Sequence, residues 1–198
     1  MHMPRTLPYL ALALLALLPS MALAHVGHDH GSGFAHGFFH PLGGLDHILA
    51  MVAVGLLAWH LGGNARWLVP AAFIGAMATA GIAGMAAGEA PVVELGIGLS
   101  VVALGCLLAF RLQLTTVMAM AIAGGFALFH GYAHGAEMAH GASGLAYGLG
   151  FVLATALLHG AGILAGMGLA SLGSGMRIAR ASGAAIAVAG VLILTGAL

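Results

Sequence analysis

Phe129 to Glu137 read FHGYAHGAE, at the end of a long apolar run. His130, His134 and Glu137 stand four and three residues apart, a spacing that puts all three on one face of a helix. A second group, HPLGGLDHILAM, starts at His40 and carries Asp46 and His47. Polar and ionisable groups inside apolar segments are costly unless they find partners, so they are rarely idle there.

Imidazole and carboxylate together suit a borderline divalent ion such as Ni2+, Co2+ or Zn2+. His130 and His134 can share one ion across a helical turn, as the histidines of HExxH helices do. Asp46 could complete such a site, or hold the His47 ring by accepting its other N–H. Neutral imidazole binds metal without burying a charge, and a carboxylate offsets part of the cation's charge. A purely structural polar network is the alternative for these four residues. His159 reads equally as an inner ligand or as a packed polar group. His60 reads as interfacial, Met51 as core, and Trp59 and Trp67 as members of an aromatic belt.

The elements that carry these groups must be membrane helices. Of the 198 residues 62% are hydrophobic and 5% charged, with mean hydropathy +1.10, whereas a soluble domain has about 25% charged residues. Five arginines balance five acids, which leaves no basic surface for nucleic acid, and Cys106 has no partner for an internal disulfide. Twelve histidines outnumber either charged class, and that imbalance is the functional signal.

The expected fold is all-α: a polytopic membrane protein, a bundle of six transmembrane helices after a cleavable signal peptide. Residues 1–24 read as that peptide, from Arg5, the apolar Leu10 to Leu18, Pro19 and the small-residue site Ala22-Leu23-Ala24. An uncleaved additional helix is the alternative. Residues 25–39 then form a histidine-rich exported segment and residues 40–198 the transmembrane domain. Spans are expected near 41–61, 67–87, 92–110, 114–134, 146–170 and 181–198, each long enough for roughly 30 Å of hydrocarbon. With the mature N-terminus outside, Arg66, Arg111, Arg177 and Arg180 all fall on the cytoplasmic side, and Glu89, Glu94 and Glu137 on the outer side. Thirty-three glycines, with pairs such as Gly84/Gly88, Gly131/Gly135, Gly144/Gly148 and Gly162/Gly166, imply close helix packing. Those beside His130 and His134 could also leave room around a ligand.

Pro41 suits the first position of the first mature helix, which would put Asp46 and His47 roughly one and a half turns inside and His47 level with His130. His40, ahead of Pro41, is expected out of helical geometry, with His36, Glu137 and His140 at an outer mouth. Asp46, His47, His130 and His134 would form a deeper site and His159 a further step inward, because conduction needs serial sites of moderate affinity.

His40-Pro41-Leu42-Gly43-Gly44-Leu45-Asp46-His47 and Phe129 through Glu137 resemble the two signatures of the HupE/UreJ family of bacterial nickel permeases. These are a histidine, five residues and Asp-His in the first helix, and Phe-His-Gly-x-Ala-His-Gly-x-Glu in the fourth. The resemblance covers essentially the whole chain, and both motifs are present without departure. It implies nickel supply for hydrogenase or urease maturation, with cobalt as a second substrate. It also implies His40, Asp46, His47, His130, His134 and Glu137 as functional positions, and metallochaperones of those pathways as partners.

The segment beginning His25-Val26-Gly27-His28-Asp29-His30 is too polar and glycine-rich to pack. Its His25, His28 and His30 could gather metal at the entrance, or belong to an inert leader. Three function classes stay open. A secondary, non-ATP metal permease in the bacterial inner membrane is favoured, and no GxxxxGK[ST] stretch exists for nucleotide. An intramembrane zinc hydrolase would need a nucleophile or activated water, with Ser100 and Thr155 as the buried hydroxyls to consider. A non-transporting metal-binding accessory protein is the third. No prosthetic group is expected, the metal being substrate, and a homo-oligomer is compatible with the glycine faces.

Overall fold

The computed structural model describes residues 33–88, 90–138, 143–171 and 175–198. The expected signal peptide, His25, His28, His30, Glu89 and His140 lie outside the described residues. Those described form seven helices and no strand: α1 (Gly33–Gly43), α2 (Leu45–Leu61), α3 (Ala65–Ala87), α4 (Pro91–Ala109), α5 (Thr116–Ala136), α6 (Gly144–Ala170) and α7 (Gly175–Leu194).

Local chemistry sets most of the boundaries. Pro91 opens α4, where its missing N–H costs nothing. The Thr115 and Ser143 hydroxyls cap α5 and α6 by accepting from the Met118 and Ala146 N–H groups. Gly62 and Gly88, at φ 72° and 78°, end α2 and α3 in backbone that favours glycine.

The first expected span is not one helix. α1 and α2 meet at Gly44 with a bend of 84°, so Pro41 sits near the end of α1 and Asp46 in the first turn of α2. His40 is helical, contrary to the expectation from Pro41. Residues 33–39, assigned from sequence to the exported segment, belong to the same helix, with Gly37 and Pro41 buried. Two glycines in a row weaken helical continuity, and Gly44 takes extended backbone at φ −106°, ψ 127°.

α3 to α6, and Arg177–Leu194 within α7, are each long and apolar enough to cross a membrane, and α1 with α2 passes only when the bent pair is taken together. The surface agrees: Ile82, Val117 and Leu145 are 67–76% exposed, while Ser100, His130, His134, Thr155 and His159 are buried. Apolar outside and polar inside is the distribution of a chain solvated by lipid.

α2 lies at the centre, packed on α6, α4 and α3, and buries Ala50, Met51 and Ala53 to Ala58. α3 runs along α5, α4 along α7, and α1 along α6. Glycine explains the closeness of α3 and α5. A Cβ at Gly131 or Gly135 would strike the Met77 or Gly81 carbonyl, and one at Gly84 the Tyr132 carbonyl. Gly131 and Gly135 therefore seat α5 on α3, and both also line a cavity that His134 borders. Gly162 meets Val52 and Gly55 of α2 in the same way, and Gly166 takes the Trp59 ring. A Cβ at Gly88 or Gly148 would meet nothing within 4 Å, so helix closeness does not require glycine at those two pair members.

Side chains tie the helix ends together. At one end His60 bonds Gln113 at 3.1 Å, and Arg180 Nε donates to the Ala109 carbonyl at 3.1 Å. At the other, His40 of α1 meets Glu137 beyond α5.

Candidate metal site

The bend at Gly44 brings α1 and α2 to the same place as the end of α5. His40 Nε2 lies 3.0 Å from Glu137 Oε2. The His40 and His134 rings are 4.7 Å apart, His134 and His47 4.3 Å, and His47 and His130 5.0 Å between centroids. His36, exposed and one turn before His40, stands 5.7 Å from it. Side chains from three helices thus make one line of imidazoles, from an exposed rim to a buried end.

This differs from the expected pair of separate groups. One ligand atom each from His40, His134 and Glu137 lies within 4.8 Å of the others, a cluster that could hold a metal ion. His134, assigned from sequence to the deeper set, belongs to that outer triad and also touches His47. The helix break is the reason. A continuous helix would separate His40 from the inner residues along its axis, whereas the bent pair lays α1 across the top of the site.

Asp46 acts on His47. Its Oδ1 accepts from the His47 backbone N–H at 2.8 Å and faces His47 Nδ1 at 2.6 Å. An ionised carboxylate only accepts, so Nδ1 carries the proton and Nε2 the lone pair. Of the two roles open to Asp46, the geometry supports orienting the ring.

Several contacts were not legible in the sequence. Phe151 packs on His134 with centroids 4.2 Å apart, and Tyr147 lies against His36 and His40. Phe129 of the motif lies on Gly96 of α4, where a Cβ would enter its ring. Phe73 stands between His130, at 5.6 Å, and His159, at 5.1 Å, so His159 is not in the continuous line. An aromatic residue in an apolar helix carries no mark that sets it apart from core. A cavity of about 340 Å³ between α3, α5 and α6 has His134 in its otherwise largely apolar wall.

The unmet hydrogen-bonding capacity is concentrated here. Buried and without a partner among the described residues are His47 Nε2, His130 Nδ1, both ring nitrogens of His134 and His159, and the Tyr147 hydroxyl. Folded proteins leave few such atoms, and each costs about 1–3 kcal/mol. Four histidines with free ring nitrogens, three of them in one line, are suited to a guest that accepts lone pairs, which a transition-metal cation does.

The sequence profile described as HupE / UreJ protein matches residues 12–193. Protein HupE of Rhizobium leguminosarum bv. viciae is 47% identical over 188 residues, covering 93% of this chain and 95% of that protein. No solved structure matches the chain.

Proposed function

The chain belongs to the HupE/UreJ family, and from that premise we propose that it is a secondary permease for divalent transition metal, with nickel as the first substrate and cobalt as the second. The observation that carries this reading is the line of imidazoles, with unpartnered ring nitrogens on His47, His130 and His134, enclosed by helices of which five are of membrane-spanning length. A permease needs ligands that release as readily as they bind, and a row of neutral imidazoles offers neighbouring positions of similar strength. His40, His134 and Glu137 would receive the ion, and His47 and His130 would take it inward. The membrane is the bacterial inner membrane, with the mature N-terminus periplasmic and the loop arginines cytoplasmic. Metallochaperones of hydrogenase or urease maturation would receive the ion inside.

The two buried hydroxyls lend the hydrolase alternative no support as nucleophiles. Ser100 is the hydroxyl in reach of a line histidine, but it donates its proton to the Ile97 carbonyl at 2.6 Å. Thr155 donates towards Met77 Sδ.

Uptake of radioactive nickel into proteoliposomes containing the purified chain tests the reading. Saturable uptake, lost in His134→Ala, is expected. Nickel binding without any uptake in either variant would leave an accessory metal-binding protein instead.

A further inference from the structure

Ser100 is a serine of α4, fully buried, with two partners. Its Oγ lies 2.6 Å from the Ile97 carbonyl oxygen and 2.9 Å from His130 Nε2. The first contact is what a serine inside an apolar helix ordinarily makes. The second reaches across to α5 and has a consequence for the ring it touches. A hydroxyl has one proton. Two oxygens at 2.6 Å with no proton between them would repel, so that proton lies on the line to Ile97. Towards His130, Ser100 Oγ can then only accept. Nε2 must carry the ring proton, and Nδ1, which has no partner among the described residues, is left as the lone pair. Asp46 does the reverse to His47, fixing the proton on Nδ1 and freeing Nε2.

We propose that Ser100 is a positioning residue that holds His130 as its Nε2–H tautomer, so that Nδ1 is the atom offered to the transported ion. This rests on the metal reading above for its purpose, but not for its geometry. Two adjacent rings are then held by different groups at opposite nitrogens, so the atom each can offer is fixed before an ion arrives. Loss of such an outer partner typically lowers metal affinity about 10–100-fold.

The test uses the full chain in lipid nanodiscs, with 15N-labelled histidine and metal-free buffer above pH 7.5. His130 is assigned by comparison with His130→Gln. Solid-state NMR should show wild-type His130 with a protonated Nε2 and a bare Nδ1. Ser100→Ala should give a mixture of tautomers, and Ser100→Thr, which keeps the hydroxyl, should restore the wild-type signal. Nickel affinity by titration should fall at least about tenfold in Ser100→Ala and recover in Ser100→Thr. A protonated Nδ1 in the wild type overturns the proposal even if the variants fail to fold. So does an unchanged tautomer in Ser100→Ala, or an unchanged nickel affinity when the tautomer shifts. If the wild type shows the expected tautomer but binds no nickel, the permease reading fails, while the assignment of Ser100 to the His130 tautomer stands.

Discussion

His134 joins the outer and inner parts of the line, facing His40 and Glu137 on one side and His47 on the other. Its replacement should therefore interrupt the line. His134→Ala is expected to abolish nickel uptake at every concentration, whereas His36→Ala, at the exposed rim, should raise the half-saturating concentration severalfold and keep the maximal rate. Uptake measured against nickel concentration separates the two, and equal loss in both variants would contradict this order along the line. Asp46 offers a sharper substitution. In Asp46→Asn the amide can donate to His47 Nδ1, which favours the tautomer with its proton on Nε2 and removes the lone pair from the site. Nickel affinity should fall about 10–100-fold with the fold intact, read by titration alongside circular dichroism.

At the scale of elements, the break between α1 and α2 and the contact of α3 with α5 build the site. A Cβ at Gly44 would lie 2.6 Å from Asp46 Oδ1 and 2.8 Å from His47 Nδ1, while one at Gly43 meets nothing within 4 Å. Gly44→Val should displace the Asp46–His47 pair and weaken nickel binding, and Gly43→Ala should leave it within about twofold, a small fraction of the factor of ten that 1.4 kcal/mol represents. Equal affinities for the two variants would mean that the break does not hold the pair in place. Along α5, Gly131 abuts the Met77 carbonyl and Gly125 has open space. Backbone cannot yield as a side chain can, so Gly131→Val should cost about 1–3 kcal/mol and lower the melting temperature in detergent, with Gly125→Val the control. Matching melting curves would show that α5 can shift on α3 without loss.

For the whole molecule, one end carries Arg66, Arg111, Arg177 and Arg180 near the His60–Gln113 and Arg180–Ala109 contacts, and the other carries His40 and Glu137. The positive-inside rule predicts that the arginine end is cytoplasmic. Asn64→Cys in a Cys106→Ala background should resist an impermeant thiol reagent outside spheroplasts and react after lysis. Rapid labelling of intact spheroplasts would invert the topology. Acid should oppose uptake. A protonated imidazole has no lone pair and adds a positive charge, so uptake should weaken as the external side is acidified. Magnesium and calcium, which prefer all-oxygen sites, should compete far less than cobalt. Uptake that rises with acid would point to a proton-coupled step stronger than competition at the imidazoles.

Composition and spacing were enough for the class of fold, for the five long apolar helices within a few residues, and for the two histidine motifs. These properties are local, because hydropathy over about 20 residues and the 3.6-residue period can be read along the chain. The bend at Gly44 could not be read, since the apolar pattern runs across it and Pro41 points to a helix start, not to the late helical position it holds. The membership of His134 in the outer triad follows from that bend. The partnership of Ser100 with His130, the position of Phe73 between two histidines, and the use of Gly131 and Gly135 against α3 are also tertiary facts. Each depends on which helix lies beside which at a separation of a few ångströms, and in an apolar bundle many helix faces are chemically alike until packing chooses among them.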